Sequence, residues 1–325
     1  MTKHPIFSSA AIVLTSAAAF IFSGCGKSDN TAAGKSLKIG ISIPSADHGW
    51  TGGVVYHANE VKKEIEAANP DVRVIVSTAA SSAEQVDRVE NLLVQGIDAL
   101  VILPHEPAPL SGICGRAVRE GVKVVVVDRN IASRSQDLLV AGDNTGFGRV
   151  SGEAIAEAMG GKGAIVMMEG VQCDVNTQRV VAFKKVIEQF PGIKIIDSGS
   201  ADWNTEKGLR LMENFLQKHP KIDVVWTGDD DVSIGALKAI EEAGRTDIKM
   251  CIGGAGSKLM IKRVMDGDPL VRFTVTYPPA MIAVGAREAL KILRGETPES
   301  DSITIPAEIV DINNAAEFYF PDSVY

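Results

Sequence analysis

Val122-Lys-Val-Val-Val-Val-Asp-Arg-Asn130 decides the fold. The run is β-branched, apolar at nearly every position, and ends abruptly in charge. Branching at Cβ favours extended backbone. The lack of polar/apolar alternation means a strand covered on both faces, as in a parallel sheet with helices on each side. Working outward, similar runs occupy Leu37–Ile43, Val72–Ser77, Ala99–Leu103 and Leu138–Gly142. A second series follows at Gly163–Met168, Ile193–Asp197, Val224–Thr227, Met250–Gly253 and Phe273–Thr276. Between the runs lie apolar stripes at helical spacing: Val54, Val55, Ala58, Val61 and Ile65; Val86, Val89, Leu92 and Leu93; Leu209, Met212, Phe215 and Leu216. Gly96, Gly121, Pro70 and Pro220 stand where those helices should stop. Repeated β-α units predict parallel sheets with right-handed crossovers, in two comparable halves. No low-complexity linker separates the halves, so extended segments should join them as a hinge. Leu138–Asn144 runs directly from one into the next, and Ile303–Asp311, after a helix predicted over Ala280–Leu293, is extended and able to cross back.

The chain has 325 residues, 45% hydrophobic and 23% charged, an ordinary composition for a soluble globular protein. Its net charge of −8 argues against a nucleic-acid-binding surface. Residues 1–24 differ from the rest. Lys3 and His4 precede the apolar run Ala10–Phe22, which is too short for the roughly 20 residues of a membrane span and fits an export signal. Phe22-Ser-Gly-Cys25 resembles the lipobox of bacterial lipoproteins, with Phe22 in place of the usual Leu. The resemblance implies lipid on Cys25 and a protein exported and anchored at the periplasmic or cell surface. An ordinary signal peptide with an incidental cysteine is the alternative. Residues 25–36 carry no large apolar side chain and read as a tether. The other cysteines, Cys114, Cys173 and Cys251, are widely spaced and form no C-x-x-C pair, so no metal or redox cofactor is implied.

In open α/β sheets, ligands bind beyond the carboxyl ends of the strands. Those ends carry Asp47-His-Gly-Trp-Thr51, Asp128-Arg-Asn130, Asp143-Asn144, Asn176 to Arg179, Asp202-Trp-Asn204, Asp229-Asp-Asp231 and Tyr277. Carboxylates, amides and guanidinium groups satisfy hydroxyls, which donate and accept, and flat aromatics pack on sugar C–H faces. Trp50 and Trp203 lie at strand ends, whereas Trp226 falls within a strand and reads as core. Blander roles compete. Asp47 and Asp143 suit helix caps, Asn144 a hinge, and Asp230 and Asp231 the cap of a helix beginning near Val232. Three adjacent acids point in different directions and make a poor metal site. Gly253-Gly-Ala-Gly256 matches neither phosphate-loop pattern, and no G-x-S-x-G elbow occurs.

Val127-Asp-Arg-Asn130, Ala141-Gly-Asp-Asn144, Asn176-Thr-Gln-Arg-Val-Val-Ala-Phe183 and Ala201-Asp-Trp-Asn-Thr-Glu-Lys-Gly-Leu209 follow one another in order. His219-Pro220, Asp229-Asp230 and Gly235-Ala-Leu-Lys238 continue the series. In these motifs residues 37–320 resemble the ribose-binding-protein family, the type I substrate-binding proteins of ABC transporters. The resemblance implies two Rossmann-like α/β lobes joined by three crossings and closing on one sugar. The lobes would be 37–142 with 278–307, and 143–277 with 308–325. It further implies that Asp128 and Arg129 bind ring hydroxyls, that Arg179 faces them, and that Trp50 and Trp203 stack. His48, Asn176, Asp229 and Tyr277 are further contacts on this reading, with Asp47 and Thr51 as neighbours. Gly253-Gly-Ala255 stands where the family has Gly-Phe-Asp, so one acidic contact is missing, and Asp229 is acidic where an amide is usual. The expected guest is therefore a pentose, a hexose or a polyol. The expected partner is a membrane permease, and the protein acts as a monomer without catalysis. Two alternatives stay open: an exported hydrolase using Asp128 and Asp229 as paired carboxylates, and a sensor that feeds a chemoreceptor or sensor kinase.

Overall fold

The computed structural model describes residues 36–325. The export signal, Cys25 and the tether as far as residue 35 lie outside the described residues. The first half runs β1 (Leu37–Pro44), α1 (Gly49–Ala68), β2 (Val72–Ala79), α2 (Ser82–Val94), β3 (Ala99–Ile102), α3 (Pro107–Arg119), β4 (Lys123–Val127) and β5 (Leu138–Gly142). The second runs α4 (Asn144–Ala158), β6 (Lys162–Glu169), α5 (Asp174–Ile187), β7 (Gly192–Ser200), α6 (Thr205–Lys218), β8 (Val224–Thr227), α7 (Asp230–Glu242), β9 (Met250–Ile252), α8 (Lys258–Met265) and β10 (Phe273–Val275). The chain ends with α9 (Met281–Leu293), β11 (Ser302–Ile305), β12 (Ile309–Asp311) and α10 (Ala315–Phe318). Every strand expected from an apolar run is present.

One sheet has six parallel strands in the order β11-β5-β4-β3-β1-β2; a second has four in the order β7-β6-β8-β9. Val124 to Val127 are wholly buried, and each such side chain contributes roughly 1.5–3 kcal/mol. Each sheet is covered on both faces. Ile39, Val54, Val125 and Ala286 belong to one cluster of the first sheet, and Val89, Leu100, Cys114 and Val126 to the other. In the second sheet, Val166, Met212, Leu237 and Val264 form one cluster and Phe147, Ile165, Phe183 and Trp226 the other. This is the burial that non-alternating strands require.

The tail divides more finely than a single extended crossing. β11 lies beside β5 in the six-stranded sheet, while β12 pairs antiparallel with β10. Residues between them leave one sheet for the other, and Thr276 N–H donates to Glu308 O at 2.9 Å where they pass. With the passages after β5 and after β10, the chain moves between lobes three times. In both sheets the first strand of the half lies between the next two, β1 between β2 and β3 and β6 between β7 and β8, so the strand order reverses there. That arrangement opens a crevice at its carboxyl end.

Candidate ligand-binding site

The carboxyl ends of both sheets meet at one cavity, lined by His48, Trp50, Asp128, Arg129, Val175, Arg179, Trp203, Asp229, Ala255 and Tyr277. It holds about 320 Å³ of space between atoms, its mouth included. All the main candidates line it except Asn176. The Asn176 amide instead accepts from Gly170 N–H at 2.7 Å and fixes the turn after β6. Asp47 and Thr51 line a wider recess at the mouth, which shares His48, Arg129 and Trp203 with the cavity. Thr51 Oγ1 donates to Asp47 Oδ1 at 2.8 Å and accepts from His48 N–H at 3.2 Å, tying off the start of α1. The His48 hydrogen bond to Asp47 leads the causes that hold the Asp47 carboxyl well below the usual range.

Four backbone positions around the cavity are strained. Asp128, Asp202, Trp203 and Ala255 have positive φ, at 65°, 51°, 53° and 98°. Such conformations cost about 1–3 kcal/mol each for residues other than glycine and persist where surrounding structure imposes them. Here they turn the chain sharply at the ends of β4, β7 and β9, and so set the Asp128 and Trp203 side chains against the cavity. The Trp203 indole also needs Gly170, where an added Cβ would lie 1.9 Å from Nε1.

Tyr277 organises the polar groups. Its hydroxyl donates to Asp128 Oδ1 at 2.5 Å and accepts from Asn144 Nδ2 at 3.3 Å. Asn144 Oδ1 in turn accepts from Arg179 Nε at 2.9 Å, and Arg179 Nη1 donates to Gly228 O at 2.6 Å. The Arg179 guanidinium lies 4.3 Å from the Phe147 ring centre and 4.2 Å from that of Tyr277, an arrangement that buries a cation by charge–quadrupole attraction. Burial, then the Asp128 charge, pushes the Tyr277 phenol up, so it stays a neutral donor. Arg129 pairs with Asp128 Oδ2 at 3.4 Å and donates from Nη1 to His105 O at 2.7 Å. Trp50 Nε1 donates to Tyr277 O at 2.8 Å.

The acids at 229–231 divide the work differently from the expectation. Asp229, not its neighbours, caps α7 by accepting from Val232 N–H at 3.0 Å, and it also lines the cavity. Asp230 binds Ser257 N–H at 2.7 Å and Thr274 Oγ1 at 2.9 Å. Asp231 reaches across to Gly49 N–H at 3.1 Å, at the start of α1. Burial raises the carboxyls of Asp229 and Asp231 and pushes that of Asp230 up to about 7. Among the described residues no group of His, Cys, Asp or Glu has metal-binding geometry. Asp143 caps α4 through Gly146 N–H at 2.7 Å, as its position suggested. Val175 carries no polar side chain and gave no signal in the sequence, whereas Ala255, which the resemblance marked as the place of a missing acid, does line the cavity.

Two doubly wound lobes with charged and aromatic groups from both at one small cavity define a solute-binding protein of the two-lobed α/β class. The chain belongs to the periplasmic binding protein domain family, whose model matches residues 39–297. It is 32% identical to the ribose import binding protein of Bacillus subtilis (strain 168) over 83% of this chain and 86% of that one. It is 27% identical to the xylitol-binding protein of Mycolicibacterium smegmatis over 93% of this chain and 85% of the other. An ABC transporter solute-binding protein from Mycobacterium smegmatis with bound glycerol superposes with a TM-score of 0.79 at 27% identity, covering 89% of this chain and 98% of that one. These are solute-binding proteins, and the hydrolase alternative falls with them: the chain is not an enzyme. Among the described residues no helix is long and apolar enough to cross a membrane.

Proposed function

We propose that the protein captures one neutral monosaccharide or polyol, of pentose or hexose size, between its lobes and delivers it to an ABC permease. The observation that carries this reading is the composition of the cavity wall. Two carboxyl groups, Asp128 and Asp229, share the wall with two guanidinium groups, Arg129 and Arg179, and two indoles, Trp50 and Trp203. Charge-assisted bonds suit hydroxyls, and indole faces suit C–H surfaces. The ribose, xylitol and glycerol in the relatives' names share that chemistry. Ala255 adds an apolar spot to the wall, so a guest with a C–H edge there is preferred to one with a hydroxyl. The hinge divides the lobes at 142/143, 277/278 and 307/308; lipid on Cys25 tethers the protein, which works as a monomer. The guest touches both lobes only when they are shut, and its binding shifts the population to the closed form.

Titration of intrinsic tryptophan fluorescence and thermal melting against aldopentoses, aldohexoses, pentitols and cyclitols tests the proposal. At least one class should shift both signals in a saturable way. A panel without any response would sink it.

A further inference from the structure

The segment after β12 does something the three crossings do not. Val310 and Ala315 are buried in the core of the second lobe, with Phe318 and Tyr319 packed against it. Tyr325, a few residues on, is buried with Trp50, Val54 and Met281 in the core of the first. The chain between is held from the second lobe: the Lys258 ammonium, at the start of α8, donates to Ser323 O and, at 3.2 Å, to Pro321 O. Ser323 Oγ donates to Tyr325 O at 2.7 Å and locks the turn. The Tyr325 ring then lies on the first two turns of α1, which can accept it because they lack side chains there. An added Cβ would come within 2.8 Å of the ring at Gly49 and 3.0 Å of Tyr325 Cβ at Gly53. The same Gly49 gives its N–H to Asp231 of the second lobe. The tyrosine hydroxyl is buried and has no hydrogen-bond partner among the described residues, and Tyr325 is absent from the cavity wall.

We infer that Tyr325 is a positioning residue for ligand capture, a fourth link between the lobes that holds them shut by packing on α1 and sets the affinity without touching the guest. The inference rests on the proposed function for the meaning of affinity, and on geometry alone for the link. A ring inserted across the divide favours the closed form, and the apparent affinity of a guest for that form rises with its population.

Spin labels at Lys63→Cys in α1 and Lys238→Cys in α7, both exposed sites, in a Cys173→Ser background, read the distance between lobes in the unliganded protein. Tyr325→Ala is expected to lengthen that distance and weaken sugar binding by about tenfold, following the loss of closed population. Lys258→Ala, a change at a half-buried side chain that frees the same segment, should move both readings in the same direction. Tyr325→Phe keeps the ring and removes an unpaired buried hydroxyl, so distance and affinity should hold or the binding tighten. Unchanged distances in both Tyr325→Ala and Lys258→Ala would overturn the inference. So would a loss of affinity in Tyr325→Phe equal to that in Tyr325→Ala, which would make the hydroxyl a ligand contact. A wild-type protein that binds no sugar defeats the proposed function only, and the distances still decide about Tyr325.

Discussion

Tyr277 and Gly170 shape the cavity from positions that a list of charged residues would pass over. The Tyr277 hydroxyl is bonded to Asp128 and Asn144, and Asn144 holds Arg179, so one phenol sets an acid and a cation of the cavity wall. Tyr277→Phe keeps the ring packed while leaving a buried carboxylate short of a donor, at a cost of about 1–3 kcal/mol. Affinity should fall about tenfold in isothermal titration, with a melting temperature only a few degrees lower. Equal affinity in the variant would remove Tyr277 from the binding apparatus. Gly170→Ala attacks the other wall. A methyl group would overlap the Trp203 indole, and displacing a packed aromatic costs typically 1–3 kcal/mol. The variant should lose most of the ligand-induced fluorescence change and bind at least tenfold more weakly while keeping the wild-type circular dichroism. A full fluorescence response would show that Trp203 does not report on the guest.

At the scale of the elements, α7 shows what the sequence could and could not say. Its start was expected near Val232, and the ten strands from β1 to β10 were plain in the pattern, because burial on both faces leaves an uninterrupted apolar run. The division of labour among Asp229, Asp230 and Asp231 was not legible. It depends on the start of α1 and on β10, distant in sequence, lying against the first turn of α7. Likewise the positive φ of Trp203 has no mark in its residue type, which is not one that favours it, although Asp202 before it is of a type that does. The buried Asp230 carries a consequence for stability. Its carboxyl, raised by burial to about 7 from 3.8, binds a proton more readily folded than unfolded. The folded state is therefore favoured as pH falls from about 7 toward 3.8, and loses that advantage as pH rises through 7. Asp197, depressed to about 2 mainly by its His219 hydrogen bond, acts only below 3.8 and leaves this window alone. His57, lowered by burial, opposes the trend below its ordinary 6.5. The informative comparison is thus between wild type and Asp230→Asn, melted from pH 7.5 to 5: the wild type should gain stability relative to the variant on acidification. Parallel curves would mean that Asp230 does not titrate there.

Over the whole molecule, the net charge of −8 and the charges of the cavity wall make separable statements about the guest. A negative protein attracts cations and repels anions over a distance set by ionic strength, about 10 Å at 0.1 M salt. A neutral guest feels none of this long-range field. On the proposed reading its bonds to Asp128, Arg129, Arg179 and Asp229 form between shut lobes, where screening is weak. Both effects point the same way. The dissociation constant and the association rate of the proposed sugar should change by less than about twofold between 0.05 and 0.5 M sodium chloride. An amino sugar or a sugar acid would behave differently, the first binding more slowly and weakly as salt rises, the second faster. Stopped-flow fluorescence with the sugar selected by the panel separates the three cases. A steep salt dependence would refute the neutral guest while leaving the proposed two-lobed capture intact, because any guest that bonds to both lobes at once favours the closed form, whatever its charge.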